Sequence, residues 1–284
     1  MYKAIGIVSN VVLVPTQKSQ IRATILANGR HLCVSSSQCN TLELHQGQIV
    51  YCEYSVTPHP FVNCHTAFPL PALLPIGNNI IFSGQNDIFA ENYKELCLLT
   101  SRISVPCLRS FIDTLCQKTN LFNAFVSIQA SCRNHHDYRH GLLQHSIEVA
   151  HLSLDTLKSC HFSDEIEQLI IIAALFHDIG KTAHAVYTSE CTYVPTNHEL
   201  STFSLLSEPM ALLYRQNKFW YDTLLTCWEP ASKGMSTECV IAKAVKNADQ
   251  MSAAKNVAEK EFRNCPAHWY FRTCDNRRFL RTPV

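Results

Sequence analysis

The sequence predicts a mainly α-helical protein carrying a small β-rich barrel at its front. Three observations predict it. Residues 2–14, 20–27, 31–35 and 48–56 are rich in Val, Ile, Thr and Tyr, the composition of short strands. A run of prolines follows, Pro58, Pro60, Pro69, Pro71 and Pro75, which no helix accommodates because proline lacks an amide hydrogen and clashes with the preceding turn. From Asn92 to Phe262 apolar residues then recur at helical spacing. The expected organisation is a β-rich domain over 1–68, a proline-rich connector over 69–91, an all-helical domain over 92–262 and a basic, aromatic tail over 263–284.

Within the first part, Asn28-Gly29 separates two strand-like runs. It is a strong hairpin signal, because both residues tolerate the positive φ of a tight two-residue turn. The stretch Gly47-Gln-Ile-Val-Tyr51-Cys-Glu-Tyr54-Ser-Val alternates between faces and resembles the late strand of an OB barrel. An OB-like five-stranded barrel is therefore expected over 1–68, with a small antiparallel barrel or sheet packed on the helices as the plainer alternative. OB faces bind single strands by stacking bases on aromatics above a positive groove. Tyr51, Tyr54 and Phe61 are the aromatic candidates, and Lys18, Arg22 and Arg30 make a thin cationic set.

The helical part places metal-type side chains beside apolar stripes. A strongly apolar helix over 169–176 runs into His177-Asp178-Ile179-Gly180-Lys181. Neutral imidazole and carboxylate are ligands for borderline and hard divalent ions. A glycine that stops the helix lets neighbouring side chains turn toward one point. Lys181 then falls just past the helix end, where a cation can meet a phosphate. Upstream, Gly141-Leu-Leu-Gln-His145 opens a second helix, with Leu142, Val149 and Leu152 on its stripe and His145 at the edge. Asn197-His198-Glu199-Leu200 begins a third. Val240, Ile241, Ala244, Val245, Ala248 and Met251 mark a fourth, with Asp249 beside them.

This set resembles the HD superfamily of metal-dependent phosphohydrolases, whose signature is a His, a His-Asp pair and a distal Asp. The resemblance covers about residues 100–258. It implies a divalent metal held by His145, His177, Asp178 and Asp249, with His198 matching the extra histidine of many two-metal members. It also implies catalytic roles: Asp178 orients the attacking water, and Lys181 binds substrate by offsetting charge on the non-bridging phosphate oxygens. Mixed histidine and carboxylate ligation suits Mn(II), Fe(II), Co(II) or Ni(II), and admits Mg(II). The stretch from Phe125 through His135-His136 and His140-Gly141 to His145 looks like the opening of bacterial 3′–5′ exoribonucleases that pair an OB-type domain with an HD domain. Conjugative relaxases of the TraI type carry a similar opening, and Ala248-Asp249-Gln250-Met-Ser252 is similar to that second group.

The chain departs from these patterns in places. Gln129 stands where a proline is usual, and His140 where the first of two glycines is usual. Residues 223–230 hold no His-His pair, the usual supplement in two-metal members; Cys227 or Glu229 is the available substitute. One well-formed metal site is the simplest expectation, with a second weak or absent. His135, His136 and His140 lie close before His145; on a helix His136 and His140 would share a face, and both are candidates to position a substrate phosphate. Glu148, one turn past His145, is a candidate to orient that imidazole, and His151 reads as a partly exposed helix histidine. In the tail, Arg263, Arg272, Arg277, Arg278 and Arg281 alternate with Trp269, Tyr270, Phe271 and Phe279, which suits either nucleic-acid contact or docking of the tail.

Lys and Arg total 24 against 23 Asp and Glu, so no overall charge draws the chain to nucleic acid. Its 14 cysteines form no Cys-x-x-Cys pair. Residues 1–15 are apolar but lack a small-residue cleavage site, and reduced thiols in a cytoplasmic protein are expected. No stretch is long and apolar enough to span a bilayer. The expected activity is hydrolysis of phosphodiester bonds in single-stranded nucleic acid, RNA above DNA. The alternatives are a phosphohydrolase for a nucleotide or small phosphate, and a degenerate HD module with a binding role in a relaxase-like system.

Overall fold

The computed structural model describes residues 1–13, 21–35, 44–56, 62–70, 87–132, 134–183, 198–230, 238–274 and 277–281. It divides into two compact units. One comprises Met1–Ser104 and Ile112–Asn123; the other comprises Val105–Phe111 and Ala124–Val284. The β region and the helical region thus both exist, in the expected order. The compact unit that holds the barrel nevertheless runs past residue 68, because it takes in the first helix.

In the first unit, strands β1 (Tyr2–Leu13), β2 (Ile21–Ala27), β3 (Arg30–Ser35), β4 (Ile49–Ser55) and β5 (Val62–Pro69) close into a barrel of order β1-β2-β3-β5-β4. All pairings are antiparallel except β3 with β5, where Leu32 meets Val62 and Cys33 meets Asn63. The β2–β3 turn is the one Asn28-Gly29 announces: Asn28 has φ 50° and Gly29 φ 68°, and Ala27 pairs with Arg30. Alternate side chains fill the interior, among them Ala4, Val8, Ile25, Leu32, Val50 and Cys52.

Helix α1 (Asp87–Ser101) packs on β1 and begins five residues before Asn92, because Asp87 anchors the entry by accepting from the Lys3 backbone amide at 2.7 Å. Tyr51 and Tyr54, expected to stack bases, are each only 4% exposed. The Tyr51 hydroxyl donates to Glu91 at 2.8 Å, and Tyr54 stacks on Tyr2. Phe61, Lys18, Pro58, Pro60, Pro71 and Pro75 lie outside the described residues.

The chain continues through α2 (Pro106–Gln117), α3 (Thr119–Ser127), α4 (Gly141–Leu157), α5 (Asp164–Leu175), α6 (His198–Leu205), α7 (Ser207–Gln216), α8 (Lys218–Trp228) and α9 (Val240–Phe262), and a hairpin of β6 (Phe271–Cys274) and β7 (Arg277–Leu280) follows. In the second unit α5 is central. Residues 168–175 are all buried, and a run as apolar as 169–175, with no polar face, belongs in the interior. Asp164, Glu165 and Glu167 in its first turn complement the helix dipole. Helices α4, α8 and α9 pack against α5, and Trp228 donates from its indole to the Ala173 carbonyl at 2.9 Å.

The tail is docked. Arg281 donates to the carbonyls of Phe262, Cys265, Pro266 and Ala267, and Arg272 to that of Glu261. Trp269, Tyr270 and Phe271 face outward. Among the described residues no helix is long and apolar enough to cross a membrane, and the described cysteines are free thiols.

Candidate metal centre

At the end of α5 the chain leaves the helix at Phe176 (φ −111°, ψ 12°) and re-forms a short 3-10 turn over Ile179–Thr182. His177 and Asp178 sit between the two. His177 Nδ1 lies 2.8 Å from the Ala174 carbonyl. A carbonyl only accepts, so Nδ1 carries a proton there and one orphan carbonyl of the helix end is satisfied. That leaves Nε2 to face the interior of the unit.

Four residues converge on this point, His145 from α4, Asp249 from α9, and His177 and Asp178 from the turn that follows α5. His145 Nε2 lies 3.0 Å from Asp249 Oδ1 and 3.5 Å from Asp178 Oδ2; His177 Nε2 lies 3.4 Å from Asp178 Oδ2 and 3.8 Å from Asp249 Oδ1. One donor atom from each of the four falls within 4.8 Å of the others. Both Nε2 atoms are buried, and neither makes a hydrogen bond. They are near carboxylate oxygens but not aligned with them, so the nitrogens converge with those oxygens without pairing. Buried polar atoms are rarely left so. Two imidazole nitrogens and two carboxylates about one point can hold a divalent ion, and the donor set fits one.

The electrostatics agree. Burial alone would lower the His177 pKa, but the carboxylates of Asp178 and Asp249 outweigh it and push it up to about 10. Burial opposes the charge on Asp178 too, yet Lys181 and His177 hold its carboxyl well below the usual range. Without a metal the excess negative charge recruits a proton onto His177. Lys181 is buried and ion-paired with Asp178 Oδ2, so its ammonium is turned onto a candidate ligand rather than toward open space.

His198 reaches the other side of the same carboxylate, with Nε2 at 3.1 Å from Asp178 Oδ1. Gly180 makes that approach possible. A Cβ at 180 would stand 1.8 Å from the His198 carbonyl and 2.7 Å from the Thr202 amide, so only glycine lets α6 come this close. Thr202 Oγ1 accepts from the Gly180 amide at 3.1 Å and donates to the His198 carbonyl at 3.1 Å. The expectation that this glycine acts by stopping α5 is corrected: the helix is already ended by the turn before it, and the glycine serves a close approach.

The segment before α4 is a loop, not a helix. His136 (φ 47°) and His140 (φ 68°) both adopt left-handed backbone, so they do not share a helix face. His140, expected to contact substrate, is instead a backbone anchor: its Nδ1 lies 2.6 Å from the Val126 carbonyl and the ring is buried. His136 is fully buried, with Nε2 3.3 Å from Glu148. His135 is the partly exposed histidine of this loop, with its ring centroid 4.9 Å from that of His145. Burial, then the charges of His145 and Lys181, lower its pKa to about 4. Gly141 ends this loop, where a Cβ would meet the His136 carbonyl at 2.1 Å.

Cys227 and Glu229 do not join the cluster: among the described residues the metal-type groups are the four named above and His135, His136 and His145. Cys227 is buried on α8 with its thiol toward Cys239, and Glu229 caps the helix end in the open. Sequence reasoning missed Ser252, fully buried with its hydroxyl 3.0 Å from His145 Nδ1. The signal was its place three residues after Asp249 and four after Ala248. Met251, assigned to that stripe, is 56% exposed, because the buried positions step from Ala248 to Ser252.

Comparisons with protein-family models, with characterised proteins and with solved structures find no match for this chain. The functional reading therefore rests on the residues themselves.

Proposed function

We propose that this chain is a metal-dependent phosphohydrolase of the HD type that cleaves phosphodiester bonds in single-stranded nucleic acid. The observation that carries the reading is the convergence of His145, His177, Asp178 and Asp249 with two buried imidazole nitrogens left unpaired. The closed barrel of order β1-β2-β3-β5-β4 supports an OB-like front domain. A divalent ion in the four-donor group would supply a Lewis acid for a phosphoryl oxygen and lower the pKa of water. The chain's own residues supply the rest. Asp178 turns one oxygen to the four-donor group and the other to His198, the arrangement of a carboxylate that serves two sides. Lys181 holds that carboxylate in place and adds positive charge beside it. His135, partly exposed and with its ring beside that of His145, is the loop histidine available to a bound phosphate.

A second reading, hydrolysis of a nucleotide or another small phosphate, is favoured by one observation: Tyr51 and Tyr54 are buried, so neither offers a free face to a base. Elemental analysis of the purified protein tests the shared premise. The parent should retain about one transition metal per chain, and His177→Ala or Asp178→Ala should retain none while keeping the parent circular dichroism spectrum. Absence of metal in the parent after reconstitution with Mn(II) or Fe(II) would sink both readings. Release of mononucleotides from labelled single-stranded RNA by the Mn(II)-loaded parent decides for the first; turnover of nucleotides alone decides for the second.

A further inference from the structure

Glu148 lies one turn beyond His145 on α4, and its contacts set where protons sit. Its Oε1 accepts from Gln144 Nε2 at 3.0 Å, and its Oε2 accepts from Ser252 Oγ at 2.7 Å. Burial would raise its carboxyl, but His136 at 3.3 Å and hydrogen bonds from Ser252 and Gln144 hold it at about 2, so it is an acceptor only. Serine has a single hydroxyl hydrogen, and that hydrogen points to Glu148. The Ser252 oxygen, 3.0 Å from His145 Nδ1, can therefore only accept from the ring. The opposite arrangement would set two lone-pair oxygens against each other at 2.7 Å and give His145 an Nε2 hydrogen where a metal needs a lone pair.

We infer that Glu148, acting through Ser252, is the positioning residue that fixes His145 in its Nδ1–H tautomer and so turns its Nε2 lone pair into a metal donor. His177 has its Nδ1 held as a donor by a separate route, through the Ala174 carbonyl, so that Nε2 is the nitrogen a metal would take once its proton leaves. The two histidines are thus primed independently, one by a helix end and one by a two-step relay to a carboxylate. Such outer partners orient ligand histidines and raise their basicity. Glu148 also approaches His136 at 3.3 Å, so one carboxylate ties both α9 and the loop before α4 to the centre.

The consequence for metal binding rests on the function proposed above, but the Nδ1 proton belongs to the metal-free protein as well, whether or not Nε2 also holds one against Asp249 Oδ1 at 3.0 Å, and it can be read there. The experiment is a long-range 1H–15N correlation of histidine-labelled, metal-free full chain at about pH 8, above the ordinary histidine range, followed by Co(II) titration. His145 should show a protonated Nδ1 in the parent, and an Nε2 without a proton once metal is bound. Ser252→Ala and Glu148→Ala should move it toward Nε2–H and weaken Co(II) binding at least about tenfold. Glu148→Gln, whose amide oxygen still accepts from Ser252, should retain the parent tautomer, and the His177 signals should stay put in all three. A merely structural Glu148 would alter stability without moving the tautomer. A His145 whose Nδ1 lacks a proton in the parent, or a Ser252→Ala protein with the parent Nδ1 signal, overturns the inference. Should Ser252→Ala fail to fold, Glu148→Ala against Glu148→Gln makes the same distinction. A tautomer that shifts as expected in a protein that takes up no Co(II) upholds the relay and refutes the metal reading instead.

Discussion

Each unit contains a dense cluster of polar side chains, and the two differ in whether the cluster closes on itself. On the barrel, Lys3, Tyr51, Glu53, Glu91 and Lys94 satisfy one another: Lys3 Nζ meets Glu91 at 2.5 Å, the Tyr51 hydroxyl lies 2.8 Å from Glu91 and 3.1 Å from Glu53, and Lys94 covers the Tyr51 ring at 4.6 Å. Positive and negative charge are matched, at a partly exposed surface. In the helical unit, His145, His177, Asp178 and Asp249 do not close. Two ring nitrogens point at a shared space without a hydrogen bond, and Lys181 answers only part of the negative charge. A crowd of polar groups is thus no sign of chemistry by itself. The sign is an imbalance the fold holds in place.

Three measurements sharpen that contrast. The largest effect is expected from Gly180→Ala. Its Cβ would collide with backbone, not with a movable side-chain tip, so α6 must shift, at a cost of about 3 kcal/mol. Chemical denaturation should show that loss, together with loss of any effect of His198→Ala on metal binding. Next comes pH. In the metal-free protein His177 keeps its proton up to about pH 10. A metal must expel that proton, so affinity should rise about tenfold per pH unit between roughly pH 6 and 9, with about one proton released. Calorimetry in buffers of different ionisation enthalpy measures the release; a flat profile would mean that His177 is not a ligand. The smallest effect belongs to the barrel. Tyr51→Phe deletes a hydroxyl from a closed cluster and should cost about 1 kcal/mol of stability, with no change in metal content.

Much of the fold was legible where chemistry is local. Asn28-Gly29 specifies its turn through φ alone, and the all-apolar run over 169–175 can only be interior. The four converging donors were legible because imidazoles and carboxylates at the edges of several apolar stripes together matched the His, His-Asp and distal Asp pattern that the chain resembles. What escaped depended on register and on backbone approach. Met251 and Ser252 are neighbours in sequence, and hydrophobicity favours the methionine; helix geometry buries the serine. His140 carried the chemistry of a substrate contact, yet its left-handed backbone turns the ring to a carbonyl. Gly180 reads as a helix stop until α6 is seen lying against it, a tertiary fact with no local signature.

The bond between His145 and Ser252 joins residues 107 positions apart. Closing so long a stretch of chain costs entropy before the contact returns anything. In an incompletely folded chain the candidate ligands are separate, hydrated side chains with ordinary acidity, and the charge imbalance does not yet exist. It arises when α9 settles against α4. A lesion anywhere along that seam that loosens the two helices would dissolve the centre without touching a single ligand.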